Sequence, residues 1–244
     1  LRPDLVLIRA DRFEMLPIAM ISVYMGIPIV HLEGGDISGA VDGKVRHSIS
    51  HLADYHFPTN KDARERLIRM GIPSKRVWNY GSLDVEVALK VKPKRLVKKP
   101  YILVLFHPIQ GEDEQEVTDA LKYFKNYIII NVLSNQDYGK QFGNKSYFPE
   151  DYINLIRYAS VCVGNSSSFL KEASVFGTPV VNVGLRQAGR LKLKNVFSIA
   201  CRAEHIRGAI KFQLKKKEQE VDFTYYKKGT AKNIASKLNE ILNK

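Results

Sequence analysis

The feature of this sequence that most constrains its fold is an alternation of short apolar runs with longer amphipathic segments. Asp4–Arg9, Ile27–Leu32 and Tyr101–Phe106 are typical of buried strands, and Phe13–Met25 and Lys61–Met70 have the spacing of helices. This alternation indicates βαβ units, because parallel strands need a crossover that is usually a helix. We therefore predict an α/β protein with two doubly wound, Rossmann-like lobes and ligand sites at the carboxyl ends of the strands.

The other elements follow from the same pattern, and Asn60 is placed to cap the helix that begins at Lys61. Further strands are predicted at Tyr55–Phe57, Val77–Tyr80, Tyr127–Val132, Val161–Val163 and Val180–Val183. Further helices are predicted at Lys44–Ala53, Asp84–Leu89, Glu112–Phe124, Pro149–Tyr158, Ser168–Phe176, Glu204–Lys215 and Ala231–Leu242. The charged, proline-containing stretch Lys90–Lys99 is typical of a linker. We expect one lobe over residues 1–92, a second over 93–228 and a closing helix over 229–244.

Composition excludes several classes of protein. With 45% hydrophobic and 26% charged residues, the chain can bury a core and is not expected to be disordered. Cys162 and Cys201 cannot by themselves form a disulfide framework or a four-ligand zinc site. His47 and His51 have i,i+4 spacing, but the chain has no HExxH motif, and we expect no metal. Since no apolar run approaches the ~18–20 residues that span a bilayer, we expect a cytoplasmic protein with no membrane partner.

The net charge of +13 has two interpretations. It can mark a surface for nucleic acid or membrane, or it can reflect solvated lysines on a protein that handles small phosphorylated anions. The basic clusters at Lys90–Lys99 and Lys211–Lys217 lack the interleaved aromatic residues of single-strand binders. We favour the second interpretation and expect no nucleic-acid partner.

Polar residues follow the predicted strands of the second lobe, beginning with His107. The Gly164–Ser168 segment joins a strand to a helix, where free N–H groups and hydroxyls suit a phosphate, although a single serine there is more often an ordinary N-cap. Arg186 and Arg190 are either surface charges or donors of paired hydrogen bonds to a phosphate. Glu172 is either a solvated helix residue or an acceptor for both hydroxyls of a ribose.

Three carboxylates, those of Asp11, Glu33 and Asp42, follow the predicted strands of the first lobe. Taking a proton from carbon and protonating a leaving group needs carboxyl groups with separated pKa values. Each carboxylate alone is more often a helix cap or a salt-bridge partner of Arg12 or Arg46. Their common position at strand ends favours acid–base chemistry.

These blocks together resemble the UDP-N-acetylglucosamine 2-epimerase family, particularly its hydrolysing branch, which forms N-acetylmannosamine and UDP for sialic-acid-type sugars. The matching stretches are ADRFEML (Ala10–Leu16), HLEGGDISGAVDGKVRHSISHLADYHF (His31–Phe57), HP (His107-Pro108), VGNSSSFLKEASVFGTPVVNVGLRQAGR (Val163–Arg190) and Asn195-Val196. The similarity runs from Leu1 to about Val196, and its motifs are long and specific.

The resemblance implies a fold of the glycosyltransferase-B type with an incomplete first lobe, and it implies a role for ten residues. The implied catalytic residues are Asp11, Glu33, Asp42, Arg46 and His107. The implied substrate-binding residues are Arg12, Ser166, Ser167, Glu172 and Arg186. The implied reaction removes the C2 proton and expels UDP to give a 2-acetamidoglucal, and water then adds. No cofactor is implied, because the elimination itself makes C2 planar.

The sequence departs from the family pattern at four places. Ala10 and Phe169 stand where the family usually has glycine, and Gly43 stands where it usually has an acidic residue. The segment Asn135–Tyr152 is shorter than its counterpart, and the family's first strand, its phosphate loop and two further βα units are missing from this sequence. We expect the printed chain to self-associate, as a homodimer or otherwise, and to release no UDP alone. The alternatives are a relative that binds a nucleotide sugar without turnover and a basic nucleic-acid-binding protein.

Overall fold

The structure is a computed structural model that describes residues 2–39, 41–134, 142–191, 193–216 and 220–243. The chain divides into two compact units. The first unit contains Leu1–Glu86, Gly189–Leu191 and Thr224–Lys244, and the second contains Val87–Ala188 and Lys192–Phe223. The shortened segment noted above includes residues 135–141, which lie outside the described residues.

Strands and helices alternate along most of the described chain. The strands are β1 (Val6–Arg9), β2 (Ile29–Leu32), β3 (Tyr55–Phe57), β4 (Tyr101–Leu105), β5 (Ile128–Asn131), β6 (Val161–Gly164), β7 (Val180–Val183) and β8 (Val196–Ile199). The helices are α1 (Met15–Tyr24), α2 (Asp42–Leu52), α3 (Lys61–Arg69), α4 (Leu83–Lys90), α5 (Glu114–Leu121), α6 (Pro149–Tyr158), α7 (Ser167–Lys171), α8 (Ala203–Lys215) and α9 (Thr230–Leu242).

The first unit is built on a parallel sheet with the order β1-β2-β3. All four residues of β2 are buried, as expected for a parallel strand that is covered on both faces. On one face, Ile8 and Ile29 pack with Ala19 of α1 and Ile49 of α2. On the other face the sheet packs against Ile234 of α9, near the end of the chain.

The second unit is built on a five-stranded sheet with the order β5-β4-β6-β7-β8, in which every pairing is parallel. Strand β6 is therefore central, with β4 on one side and β7 on the other. The carboxyl ends of these three strands meet at one edge of the sheet, which is where ligands bind in doubly wound folds.

Local sequence signals explain where several helices begin. Asn60 caps α3 as predicted, because its Oδ1 accepts a hydrogen bond from the Ala63 N–H at 2.8 Å. Asp113 caps α5 in the same way, by accepting from the Gln115 N–H at 2.9 Å. Pro149 lies in the first turn of α6, where its missing N–H costs no hydrogen bond.

The structure corrects three sequence predictions. Val77–Tyr80 is not a strand, because it makes only a single bridge, between His56 and Val77. The predicted helix Ser168–Phe176 is instead the short α7 followed by a 3-10 turn that ends at Gly177, where φ is +67°. Strand β8 was not predicted; it is only four residues long, and its residues are half-buried or exposed.

The predicted α/β fold with parallel sheets and two Rossmann-like lobes is confirmed. Among the described residues, no helix has both the length and the apolar character that a bilayer crossing requires.

Candidate functional site

Three hydroxyl groups lie together at the start of α7 in the second unit. Ser166 is the N-cap residue, and its Oγ accepts a hydrogen bond from the Ser168 N–H at 3.4 Å. The Oγ atoms of Ser166 and Ser168 are 2.8 Å apart, and the Tyr152 hydroxyl lies 2.5 Å from Ser168 Oγ. Burial raises the pKa of Tyr152 above its ordinary value, so the phenol stays protonated and can donate. This hydrogen-bonded series orients the Ser166 hydroxyl.

Asn165, the residue between β6 and Ser166, is fully buried and bonded to two neighbouring segments. Its Oδ1 accepts from the His107 N–H at 2.7 Å, and its Nδ2 donates to the His107 carbonyl at 2.9 Å. Its own carbonyl accepts from Arg186 Nη1 at 3.2 Å and from Gln187 Nε2 at 2.7 Å. The predicted site residues His107 and Arg186 thus both bond to Asn165, which is the residue before Ser166 in the chain.

Arg186 follows β7 at a turn that requires glycine. Gly184 has φ +77°, and a Cβ at this position would collide with the Glu112 carboxylate. Glu112 Oε1 accepts a hydrogen bond from the Leu185 N–H at 2.5 Å. Burial raises the pKa of Glu112, and the hydrogen bond from Leu185 opposes that rise. The carboxylate therefore fixes the turn that presents Arg186.

The other residues of the serine-rich segment are placed as follows. Ser167 lies in the first turn of α7 and is half-buried, while Glu172 ends α7 and is 8% exposed. Phe169 is fully buried in the core cluster that contains Leu103 and Cys162. The phenylalanine that replaces a family glycine therefore fills the core instead of lying at the surface.

In the first unit, the buried guanidinium of Arg46 joins the segments that follow β1 and β2. Arg46 is 2% exposed, forms an ion pair with Asp11 and donates from Nη1 to the Asp36 carbonyl at 2.9 Å. The Asp36 carboxylate in turn accepts from Asn60 Nδ2 at 3.1 Å and lies 3.5 Å from Arg190 Nη1. A buried charge without such partners would cost several kcal/mol, so removing any one partner of Arg46 should be strongly destabilising.

Glu33 and Asp42, the other two predicted carboxylates, have different surroundings. Glu33 Oε1 accepts from Arg9 Nε at 3.2 Å and from Arg9 Nη2 at 3.0 Å, and Arg9 also pairs with Asp84. Asp42 is the half-buried first residue of α2, where the helix dipole favours a negative charge. Arg12, predicted near a diphosphate, is exposed and pairs with Glu14, with Nη2 2.6 Å from Oε1.

In this unit, the residue after β1 and the residue after β2 both have left-handed backbone conformations, which residues other than glycine rarely adopt. Ala10 has φ +62° and Glu33 has φ +63°. The buried His31 bonds to the first of them, and its Nδ1 lies 3.0 Å from Ser50 Oγ. Burial lowers the pKa of His31 to about 4, which keeps the imidazole neutral near pH 7. Strained backbone of this kind concentrates at functional sites.

The sequence analysis did not name several residues that organise these sites, namely Arg9, Glu112, Tyr152 and Asn165. Asn165 lies within the GNSSS segment, but its bonds reach His107, 58 residues away, and no local pattern signals that contact. Within the described ranges no three His, Cys, Asp or Glu side chains are grouped as a metal site requires.

The two sets of groups suit different steps of chemistry. Hydroxyls, an arginine and a nearby carboxylate in the second unit can hold a phosphorylated sugar nucleotide. In the first unit, carboxylates held in place by arginines are groups that can exchange protons with a substrate.

Comparison with known proteins identifies the family of the chain. The family model described as UDP-N-acetylglucosamine 2-epimerase matches residues 1–239. The chain is 33% identical over 236 residues to a Campylobacter jejuni GDP/UDP-N,N'-diacetylbacillosamine 2-epimerase (hydrolyzing), covering 80% of this chain and 60% of that protein. It is 30% identical over 271 residues to a Neisseria meningitidis UDP-N-acetylglucosamine 2-epimerase, covering all of this chain and 72% of that protein. The chain thus spans about 60% of the length of the first of these relatives.

Solved structures have the same fold. A co-structure of S. aureus MnaA with UDP aligns at a TM-score of 0.84 and 17% identity, over 99% of this chain and 75% of that one. The Methanocaldococcus jannaschii UDP-GlcNAc 2-epimerase in complex with UDP-GlcNAc and UDP aligns at a TM-score of 0.80 and 16% identity. The alignment covers 98% of this chain and 76% of that one. Because the family model matches residues 1–239 of this chain, the chain belongs to the UDP-N-acetylglucosamine 2-epimerase family.

Proposed function

We propose that the protein is a hydrolysing 2-epimerase that converts a UDP-linked 2-acetamido sugar and water into the free 2-epimer and UDP. The observation that carries this proposal is the family match over residues 1–239, together with the identity to relatives named as hydrolysing enzymes. N-Acetylmannosamine, a precursor of sialic-acid-type sugars, is the product when the substrate is UDP-N-acetylglucosamine.

The second unit supplies the nucleotide site in this proposal. Ser166 and Ser167 donate to phosphate oxygens, and Arg186 neutralises their charge. Glu172 accepts the ribose hydroxyls, since a carboxylate can accept two hydrogen bonds at once. The hydroxyl series and the Asn165 bonds support this step because they fix these groups before a ligand arrives, which lowers the entropy cost of binding.

The first unit supplies the proton chemistry in this proposal. A carboxylate among Asp11, Glu33 and Asp42 takes the C2 proton as the C1–O bond breaks, and the electron pair of that bond leaves with UDP. Water then adds to C1 of the 2-acetamidoglucal while C2 is protonated from the opposite face, which inverts C2. His107 and Arg12 act on the diphosphate, where negative charge develops. Arg46 positions Asp11 through their ion pair.

The first test is UDP binding to the whole chain. Calorimetry should detect binding of UDP to the chain. UDP at a hundred times its dissociation constant should add ~2.7 kcal/mol to the free energy of unfolding. Arg186→Ala should weaken binding by about tenfold or more, as expected for a charge-assisted bond to phosphate. Arg202→Ala is the matched control, because Arg202 is an exposed arginine of the same unit paired with Glu116. A chain that does not bind UDP would contradict the nucleotide assignment.

The second test concerns the reaction itself. A preparation that turns over UDP-N-acetylglucosamine in D2O should form N-acetylmannosamine with deuterium at C2, because solvent supplies the new proton. Nuclear magnetic resonance of the product detects the label. Undeuterated product, or a UDP-linked epimer in place of the free sugar, would contradict the proposed mechanism.

One alternative function has a specific observation in its favour. Gly43, which replaces the usual acidic residue, lies within α2, and a Cβ there would come within 3.1 Å of the Ser38 carbonyl. A binding protein without turnover is the function favoured if UDP binds tightly but no preparation forms product.

A further inference from the structure

We infer that Asn165 is the positioning residue that sets His107 and Arg186 relative to each other; this inference rests on the proposed function for its catalytic meaning. Asn165 is fully buried, so it acts through its neighbours and not by touching a ligand.

The sheet topology puts Asn165 where it can reach both neighbours. It follows β6, the central strand, whose partners are β4 and β7. The Asn165 N–H donates to the Leu105 carbonyl at 3.2 Å, which continues the backbone pairing of β6 with β4. The backbone pairing between β4 and β6 ends at this bond. His107, two residues after Leu105, therefore needs other partners for its N–H and carbonyl.

The Asn165 side chain supplies those partners. A carboxamide offers an acceptor oxygen and an NH2 group with two donors. The oxygen accepts from the His107 N–H at 2.7 Å, and the NH2 group donates to the His107 carbonyl at 2.9 Å and also bonds to the Glu112 carboxylate. The side chain therefore replaces one backbone pairing and fixes the His107 main chain at both polar groups. A carboxylate at this position could keep the first bond but would repel the His107 carbonyl.

On the other side, the Asn165 carbonyl receives the residues that follow β7. Arg186 and Gln187 both donate to this single oxygen, at 3.2 and 2.7 Å. Ser166 is the next residue in the chain. The side chain of Asn165 thus holds His107, and its main-chain carbonyl holds Arg186. A substitution at Asn165 removes the His107 bonds directly, and it reaches Arg186 and Ser166 only by shifting the main chain at residue 165.

The test compares three variants of the whole chain, Asn165→Ala, Asn165→Asp and the control Asn195→Ala. Asn195 is also a buried asparagine of the second unit, and its Nδ2 donates to the Thr178 carbonyl at 2.8 Å. Amide hydrogen exchange, measured by nuclear magnetic resonance without ligand, reports the His107 bond directly. Asn165→Ala should speed exchange at His107 by about 100-fold relative to wild type. Asn195→Ala should change it by less than about fivefold, and Asn165→Asp, which keeps the acceptor but repels the His107 carbonyl, should fall between the two.

UDP affinity gives the second measurement, at a temperature well below every melting transition. We expect about tenfold weaker binding for Asn165→Ala and a larger loss for Asn165→Asp, which places a negative charge beside the diphosphate. Asn195→Ala should keep an affinity for UDP within about twofold of wild type, even if its melting temperature is as low as that of Asn165→Ala. Unchanged His107 exchange in Asn165→Ala, or equal UDP losses in Asn165→Ala and Asn195→Ala, would overturn the inference. If wild type does not bind UDP, the proposed function fails, and the exchange measurement still decides the role of Asn165.

Discussion

Nε2 of His31 lies 2.8 Å from the carbonyl oxygen of Ala10, so a buried histidine of β2 is bonded to the strained residue that ends β1. The bond holds Ala10 in the left-handed conformation that directs the chain from β1 towards Asp11. The bond to this carbonyl by itself raises the pKa of His31, but burial lowers it by more, so the ring stays neutral with its proton on Nε2.

The strain at Ala10 gives the first prediction. Ala10→Gly should raise the free energy of unfolding by about 0.5–1 kcal/mol, because relief of the left-handed penalty of ~1–2 kcal/mol exceeds the added entropy of the unfolded chain. Urea unfolding measures the change. The control is Ala235→Gly on the exposed side of α9, which should lose about 0.5–1 kcal/mol by helix propensity. A loss of stability in Ala10→Gly would show that the backbone at this position is not strained.

The second prediction concerns pH. Burial lowers the pKa of His31 to about 4 and that of His56 to about 3, and it also lowers the pKa of His47. Below the ordinary pKa of 6.5 the unfolded chain binds protons that the folded protein does not. Stability is therefore complete above pH 6.5 and should fall as the pH drops towards 4, with each fully buried histidine contributing up to about 1.4 kcal/mol per pH unit.

Urea unfolding between pH 7.5 and pH 5 checks this slope. His56→Gln should reduce the slope of the free energy of unfolding against pH by the amount that corresponds to about one proton taken up on unfolding. His205→Gln should leave the slope unchanged, since the side chain of His205 is 55% exposed. A flat profile in the wild-type protein would contradict the assignment of buried neutral histidines.

The sequence predicted most of the fold because its elements depend on local patterns. The apolar runs of β2 and β4 and the cap at Asn60 are readable from a few adjacent residues. β8 was missed because its apolar run is only four residues long and is interrupted by Ser198. The stretch after Val77 was predicted as a strand from its composition, but its pairing with β3 ends after the bridge at Val77 and the bond from the Trp78 N–H to the His56 carbonyl.

The candidate site was less predictable, because its partners are distant in sequence. Asp11 and Arg46 are 35 residues apart, and the sequence offered their ion pair only as one alternative among several. Arg9 and Glu33 are 24 residues apart, and no local pattern signals their ion pair or the positive φ at Glu33. Family motifs named candidate residues, while the contacts that orient them came from tertiary structure.

The third prediction tests the hydroxyl series. Tyr152→Phe removes the hydroxyl beside Ser168 and should weaken UDP binding by about three- to tenfold, because Ser166 then loses its fixed orientation. Tyr101→Phe is the matched control, since it removes a buried hydroxyl that donates to the Leu155 carbonyl at 2.7 Å. Both variants should lose stability, and calorimetry should find weaker UDP binding only in Tyr152→Phe. Equal affinities in the two variants would exclude a role for Tyr152 in binding.

The fourth prediction concerns proton transfer. In a preparation with measurable turnover, Glu33→Gln and Asp42→Asn should each slow UDP release by roughly 10²–10⁴ and leave UDP affinity within about twofold. Asp84→Asn is the control for Glu33, because Asp84 shares Arg9 but is assigned no chemistry. Equal losses of turnover in Glu33→Gln and Asp84→Asn would mark the Arg9 network as structural.

The last prediction concerns self-association through α1. This helix carries no charged residue, and it exposes Met20, Ile21, Val23 and Tyr24 by 46% to 91%. Contiguous apolar surface of this kind marks an interaction site or an aggregation risk. We expect the purified chain to self-associate more as its concentration rises. Ile21→Lys should shift it towards monomer, because burying the lysine ammonium in the contact costs more free energy than the apolar contact contributes. Light scattering after size exclusion measures the mass, with Phe148→Lys, at a residue 81% exposed in the second unit, as the control. A wild-type chain that stays monomeric at every concentration, or equal dissociation by both variants, would show that α1 is not the contact.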